Sequence, residues 1–187
     1  MKPTMSEISF QEITDKNREL FQKKNTDYGC SWIALRYSKS FTDQIFIKAQ
    51  RVQTIQQTKK NLVGDDIPSE FIGMFNYAVM ALMKHAHGSE LTITTPVEKL
   101  VEWFDEQVTL IKELRAKKNH DYGEAWREMR VSSITDLILM KILRIKQIED
   151  NDGKTIASEP IESGFHDIAN YSLFALTLIQ EKHSPMK

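Results

Sequence analysis

The residues best suited to chemistry lie in the second half of the chain, on two segments that read as helices. Lys141 and Arg144 are three positions apart on the first segment, and Asp167 and Asn170 are three positions apart on the second. Lysine and arginine neutralise phosphate or carboxylate groups, whereas a carboxylate either pairs with such a cation or supplies oxygen ligands to a divalent metal ion. The spacing predicts a site where cations and a carboxylate meet between helices.

Lys141 occupies the middle of an otherwise apolar helix face. At about 100° per residue, one narrow stripe contains Ile134, Ile138, Ile145 and Ile148, with Lys141 in its centre and Arg144 beside it. One interpretation is that the lysine stem packs among the isoleucines while the ammonium reaches water. The other is that the ammonium faces an internal cleft, where a phosphate or carboxylate must compensate its desolvation.

Asp167 begins a second apolar stripe, which continues along its helix at spacings of four, three and four residues. It is expected either to form a salt bridge with Lys141 or Arg144, or to hold a divalent cation. Asp121 is a second candidate metal ligand, because it lies at a predicted junction of helix and loop beside Gly123. The alternative for Asp121 is a turn aspartate that bonds to its own backbone.

The same arrangement of motifs occurs twice in the chain. The matching blocks are KKNTDYG (23–29) with KKNHDYG (117–123), SFTDQIFIKAQRVQTI (40–55) with SITDLILMKILRIKQI (133–148), and NYAVMAL (76–82) with NYSLFAL (170–176). Three blocks that recur in one order predict a tandem duplication of a unit of about ninety residues.

Each unit is predicted to be helical. A charged amphipathic run precedes the repeated phrase, Gly29 and Gly123 are predicted to end those helices, and two further helices follow in each unit. Two polar segments with glycine and proline, residues 59–70 and 149–163, are predicted loops. The predicted fold is all-α, a helical bundle of two tandem pseudo-symmetric repeats of about three main helices each. The predicted repeats, 1–88 and 96–187, pack as one globular unit.

The first repeat carries counterparts of most candidate residues. Those counterparts are Asp27, Lys48, Arg51, Asn76 and Tyr77. Gly73 stands where Asp167 stands in the second repeat, and Glu70 is the acidic residue one turn earlier that is expected to reach the same region. Because a lost carboxylate removes both a charge and an oxygen ligand, we expect one intact site per chain, in the second repeat.

Composition limits the classes of function. With 187 residues, 41% of them apolar, the chain can build a packed core, and its net charge of −1 provides no basic field for a nucleic-acid backbone. No apolar stretch has the length of a signal peptide or a membrane helix, which predicts a cytoplasmic protein without a membrane partner. The sequence contains neither a Walker-type glycine loop nor a G-x-G-x-x-G motif, which excludes phosphate-loop and dinucleotide-binding folds.

The order KNHDYGEAW, KILRI and HDIANY resembles the nucleotide modification associated domain family, type one. The order DYG, K-x-x-R and D-x-x-x-Y is also similar to small phage relatives of the MazG-like all-α nucleoside triphosphate pyrophosphohydrolases. Both repeats share the resemblance. It implies a metal-dependent enzyme in which acidic residues hold Mg²⁺ or Mn²⁺, the metal and basic residues bind a triphosphate, and water attacks to release pyrophosphate.

The resemblance assigns roles to the candidate residues. The metal ligands would be Asp121 and Asp167, and His166 would join them as a catalytic residue. The substrate-binding residues would be Lys118, Tyr122, Trp126, Lys141, Arg144, Asn170 and Tyr171. The expected ligand is a nucleotide or modified nucleotide, and a homo-oligomer is a further expectation. The alternative is a module without catalysis, in which the charged residues form a buried structural network that joins the repeats.

Overall fold

The computed structural model of the chain describes residues 5–154 and 159–183. These residues form six α-helices and two short 3-10 helices, and they contain no β-strand. The α-helices are α1 (Met5–Tyr28), α2 (Lys39–Thr58), α3 (Ile67–His87), α4 (Val97–Tyr122), α5 (Val131–Asp150) and α6 (Ile161–His183). The all-α prediction, with about three main helices per repeat, is therefore confirmed.

The duplication is visible in the order of the elements. A long helix, a 3-10 helix and two further α-helices follow one another twice, with the 3-10 helices at Ser31–Ala34 and Ala125–Glu128. Gly29 and Gly123 end α1 and α4 with φ angles of +68° and +61°, as predicted, because glycine enters this backbone region without a steric penalty. The repeated phrase therefore lies in the last turns of α1 and α4.

The third helix of each repeat forms the centre of the bundle. Helices α3 and α6 pack against each other, α2 packs against α3 and α5, and α5 packs against α6. Helices α1 and α4 pack together and cover α3 and α6 from one side. The apolar stripes of one repeat are thus buried against those of the other, and the fully buried side chains include Phe41, Phe71, Phe75, Phe104, Ile134 and Phe165.

Both loop predictions extended too far, and one has a consequence for the site. Residues 149–163 were predicted to be a loop, but α5 ends at Asp150 and α6 begins at Ile161, and residues 155–158 of this segment lie outside the described ranges. Residues 59–70 were also predicted to be a loop, but α3 already begins at Ile67. Asp66 caps the helix, since its carboxylate accepts a hydrogen bond from the Ser69 backbone N–H at 2.8 Å, and Pro68 suits the first turn. Glu70 consequently lies in the first turn of α3, with its side chain directed inward and buried.

None of the helices in the described ranges combines the length and the apolar character needed to cross a bilayer.

Candidate functional site

A cleft of about 590 Å³ lies between the end of α4, the middle of α5 and the first half of α6. We call it the second-repeat cleft. Seven of the predicted site residues line it: Lys118, Tyr122, Trp126, Lys141, Arg144, Asp167 and Tyr171. Asp121, His166 and Asn170 are not part of that lining.

Asp167 is the centre of the charge network in this cleft. Its Oδ1 accepts a hydrogen bond from the Lys118 ammonium at 2.5 Å, and its Oδ2 lies 2.6 Å from the Lys141 ammonium. The Asp167 side chain is only 7% exposed. Burial alone would raise the pKa of this carboxyl, but the bonds from Lys118 and Lys141 outweigh burial and lower the pKa below its usual value. Asp167 is therefore ionised at neutral pH.

The contacts of Asp167 show which of the two interpretations of Lys141 is correct. The ammonium does not escape to water, because the Lys141 side chain is 15% exposed and pairs with Asp167. The salt bridge expected for Asp167 is thus present with Lys141, and Lys118 of α4 is a second partner that helix periodicity along α5 and α6 does not reveal.

Arg144 differs from its neighbours in having no partner among the residues that the structure describes. It lines the second-repeat cleft and is half-buried, yet it makes no hydrogen bond or ion pair with any residue that the structure describes. The charged residues around the cleft are three cations, Lys118, Lys141 and Arg144, and two carboxylates, Asp167 and Glu159. The cleft therefore has a surplus of positive charge, with the guanidinium of Arg144 free to bind an anion.

The predicted metal pair is not assembled by this geometry. Asp121 is 71% exposed, accepts a hydrogen bond from the adjacent His120 at 3.1 Å, and lies outside the cleft lining. Both oxygens of Asp167 are already bound by lysine ammonium groups. Within residues 5–154 and 159–183, no three histidine, cysteine or acidic side chains form a group able to hold a metal ion. As placed, these residues do not fit a Mg²⁺ or Mn²⁺ site.

His166 and Asn170 lie beside the cleft on α6 and serve the packing of that helix. Burial lowers the pKa of His166 below its usual 6.5, so the imidazole is neutral at neutral pH, and its Nδ1 has no partner in the described part of the chain. The Asn170 amide donates a hydrogen bond to the His166 carbonyl at 3.2 Å. Neither side chain lines the cleft, so the structure does not support a direct role in binding for these two residues.

Trp126 reaches the cleft but has little free ring surface. Phe174 stacks on it at 4.6 Å with an interplanar angle of 8°, the Arg127 guanidinium lies 4.7 Å from its ring centre, and Phe10 meets it edge-on. The side chain is 6% exposed. Tyr122, by contrast, is 78% exposed at the rim of the same cleft. Tyr122 is therefore the better surface for stacking on a planar ligand.

A cleft of similar volume, about 580 Å³, occurs at the equivalent place in the first repeat, and we call it the first-repeat cleft. Lys48 lies 3.2 Å from the carboxylate of Glu70, and Arg51 also bonds to Glu70. Arg51 is further held by the side chains of Asp65 at 3.4 Å and Asn61 at 3.2 Å. The expectation that Glu70 reaches this region is thus met, and it pairs with both basic residues there.

Glycine and carboxylate have exchanged places between the repeats. Gly73 and Asp167 are equivalent, and so are Glu70 and Gly164. A β-carbon on Gly73 would lie 2.6 Å from Lys48 Cε, and one on Gly164 would lie 2.8 Å from Ile145 Cδ1. Each glycine therefore makes room for a side chain of the preceding helix. An alignment of the two repeats pairs Gly164 with Glu70, so the exchange is visible in the sequence. Gly164 was nevertheless not among the predicted site residues.

Two aromatic residues of the first repeat were not among the predicted site residues. Tyr28 and Trp32 line the first-repeat cleft, whereas Asp27 does not. They are the equivalents of Tyr122 and Trp126, so the repeated phrase could have identified them. In both repeats the phrase brings its tyrosine to the cleft, and its aspartate lies outside the lining.

The family comparison agrees with this two-fold organisation. The model of a family described as nucleotide modification associated domain 1 matches residues 24–85 and 118–180, which together are more than half of the chain. Comparison with curated proteins finds no match, and comparison with solved structures finds none either. Each matched segment begins near the end of the first helix of a repeat and ends within the third helix. The chain belongs to the nucleotide modification associated domain 1 family, and its two matches are consistent with two tandem copies of the domain.

Proposed function

We propose that this protein binds a nucleotide whose phosphates occupy the second-repeat cleft. The observation that carries the proposal is the guanidinium of Arg144, which has no partner in the described ranges of the chain and lies beside Lys118 and Lys141 in a cleft where cations outnumber carboxylates. A nucleoside triphosphate carries about four negative charges, which a protein must meet with cations, helix N-termini or a bridging metal. The family description supports a nucleotide rather than another phosphate compound.

The rest of the cleft suits the remainder of a nucleotide. Tyr122 offers an exposed ring on which a base can stack, and Tyr171 contributes a half-buried ring to the same lining. Lys118 is 48% exposed, so it is able to turn from Asp167 toward a phosphate while Lys141 continues to neutralise the carboxylate. The cleft volume of about 590 Å³ is also in the range of small-molecule sites.

Binding of a nucleotide does not imply that the protein hydrolyses it. The looser resemblance implies pyrophosphate release with Mg²⁺, but Asp121 lies outside the cleft and Asp167 is engaged by two lysines. The proposal therefore extends to binding only. A purely structural network is the competing explanation, because the ion pairs join helices in both repeats.

Calorimetric titration with a nucleoside and its mono-, di- and triphosphates tests the proposal. We expect the affinity for the second-repeat cleft to increase with the number of phosphates and to decrease as salt is raised, because ionic contacts are screened. A triphosphate that does not bind, or whose binding is no stronger than that of the monophosphate and is insensitive to salt, would contradict phosphate binding.

The same samples, with Mg²⁺ and with a chelator, are then assayed for pyrophosphate. Metal-dependent release would extend the proposal from binding to catalysis. Binding without release would favour the non-catalytic module.

A further inference from the structure

The first-repeat cleft has almost the volume of its counterpart but a different lining. Its lining includes the aromatic and aliphatic side chains of Leu20, Tyr28, Trp32, Leu35, Ile72 and Tyr77. Tyr28 is 62% exposed at the rim, and Trp32 and Tyr77 are half-buried. This repeat was predicted to have lost its site, yet it retains a cleft with aromatic walls.

The lining of this cleft carries two cations, Lys24 and Lys48, and two carboxylates, Asp65 and Glu70. Lys24 is exposed and forms no ion pair with a described residue. Glu70 binds both Lys48 and Arg51, whereas Arg144 of the second repeat has no partner among the described residues. An anionic ligand would have to compete with Glu70 for Lys48 and Arg51, whereas an uncharged ligand would leave the pairs intact.

One buried polar side chain in the lining is unsatisfied. Asn76 is 9% exposed, and its Oδ1 has no hydrogen-bond partner in the described ranges of the chain. A side-chain amide carries both donors and an acceptor, which match the hydrogen-bonding edge of a heterocycle. The Oδ1 of its equivalent, Asn170, is likewise buried without a partner in the described ranges, but Asn170 does not line the second-repeat cleft. Only the first repeat therefore presents such an amide in its cleft lining.

We propose that the first-repeat cleft binds an uncharged planar heterocycle, namely a nucleoside or free nucleobase. The ring stacks on Tyr28 and lies against Trp32 and Tyr77, and its polar edge meets the Asn76 amide. The duplicated chain would then hold a phosphorylated ligand in one repeat and an unphosphorylated one in the other. This proposal is independent of phosphate binding in the second repeat.

Nucleoside titration of three proteins tests it: the wild type, Tyr28→Ser and the control Ile47→Ser. Tyr28 and Ile47 are both 62% exposed, so both variants should fold, and Ile47 lines neither cleft. We expect Tyr28→Ser to weaken nucleoside binding about tenfold or more, from the loss of one stacking contact. Ile47→Ser should leave nucleoside binding unchanged, and a 5′-phosphate should not strengthen binding to this site.

Asn76→Leu provides a second variant of similar size without hydrogen-bonding groups. Its nucleoside affinity should fall about tenfold relative to the wild type, with folding verified by its thermal transition. If Asn76→Leu does not fold, the comparison of Tyr28→Ser with Ile47→Ser decides the question. Absence of nucleoside binding to the wild type at millimolar concentration, or a nucleoside affinity of Tyr28→Ser equal to that of Ile47→Ser, would overturn the proposal. Loss of triphosphate binding alone would leave it standing.

Discussion

The buried carboxylate of the first repeat, Glu70, lies one helical turn earlier on its helix than Asp167 does in the second repeat. Glu70 binds both Lys48 and Arg51, whereas Asp167 binds Lys141 together with Lys118 of α4. Both arrangements neutralise a lysine on an apolar helix face. The position of the carboxylate, however, decides whether the arginine of the second helix is bound: Glu70 binds Arg51, whereas Arg144 has no partner among the described residues.

Removal of either buried carboxylate should have the largest effect on stability. Asp167→Asn and Glu70→Gln each leave cations without their anion, and breaking a buried pair of this kind costs about 3 kcal/mol. Denaturant unfolding monitored by circular dichroism gives the free energy of unfolding. A loss well below 1 kcal/mol in either variant would show that the network is not a structural requirement of that repeat.

The comparison is tested by moving the carboxylate of the first repeat to the position that it has in the second repeat. Gly73→Asp alone places a β-carbon 2.6 Å from Lys48 Cε, and such overpacking costs about 1 to 3 kcal/mol. In the double variant Glu70→Gly/Gly73→Asp, Lys48 has a carboxylate at the position that Asp167 occupies in the second repeat. We expect the second substitution to recover about 1 kcal/mol, measured as a coupling free energy in a double-mutant cycle. Additive losses would mean that the two positions do not substitute for each other.

A smaller, pH-dependent difference should separate the repeats, because His166 is replaced by Ile72 in the first. Burial lowers the pKa of His166, so the unfolded chain binds this proton more readily than the folded chain. Its contribution is fully present above pH 6.5 and decreases as the pH falls through that value. His166→Ile should therefore lose less stability than the wild type between pH 7 and pH 5. Parallel pH profiles for the two proteins would contradict a buried, neutral His166.

The smallest effect is expected for the aspartates of the repeated phrase. Asp27 and Asp121 are exposed and lie outside both cleft linings, so Asp27→Ala and Asp121→Ala should each change the free energy of unfolding by no more than about 0.5 kcal/mol. Triphosphate affinity should also be unchanged. A large loss of triphosphate affinity in Asp121→Ala alone would show that Asp121 belongs to the binding site.

Helical periodicity and the internal repeat were sufficient to predict the fold class. The apolar stripe around Lys141 indicated a charged group among buried residues, and Asp167 on the next helix was a suitable partner. These features depend on the rotation of residues around one helix, which sequence spacing determines directly. The glycines that end α1 and α4 were equally predictable, because few other residues adopt their backbone conformation.

The partners supplied by other helices were harder to predict. Lys118 reaches Asp167 because α4 packs against α6, and sequence spacing does not determine that packing. Asp121 was predicted to lie at a junction of helix and loop and to contribute to the site. Instead, α4 continues to Tyr122, and Asp121 is rotated by about 100° from Tyr122 around the helix axis. Lys118 and Tyr122, four residues apart, share the face that lines the cleft. The metal hypothesis treated Asp121 as part of a helix-to-loop junction and did not use this rotation.

The most direct test of the unequal clefts is triphosphate titration of the wild type, Arg144→Ala and Arg51→Ala. The account predicts one triphosphate per wild-type chain and a loss of about tenfold or more in affinity for Arg144→Ala, since a charged hydrogen bond is removed. Arg51→Ala should retain triphosphate binding, because Arg51 is engaged by Glu70, Asp65 and Asn61, although its thermal stability should fall. Two equivalent sites per chain, or greater sensitivity to Arg51→Ala than to Arg144→Ala, would contradict it.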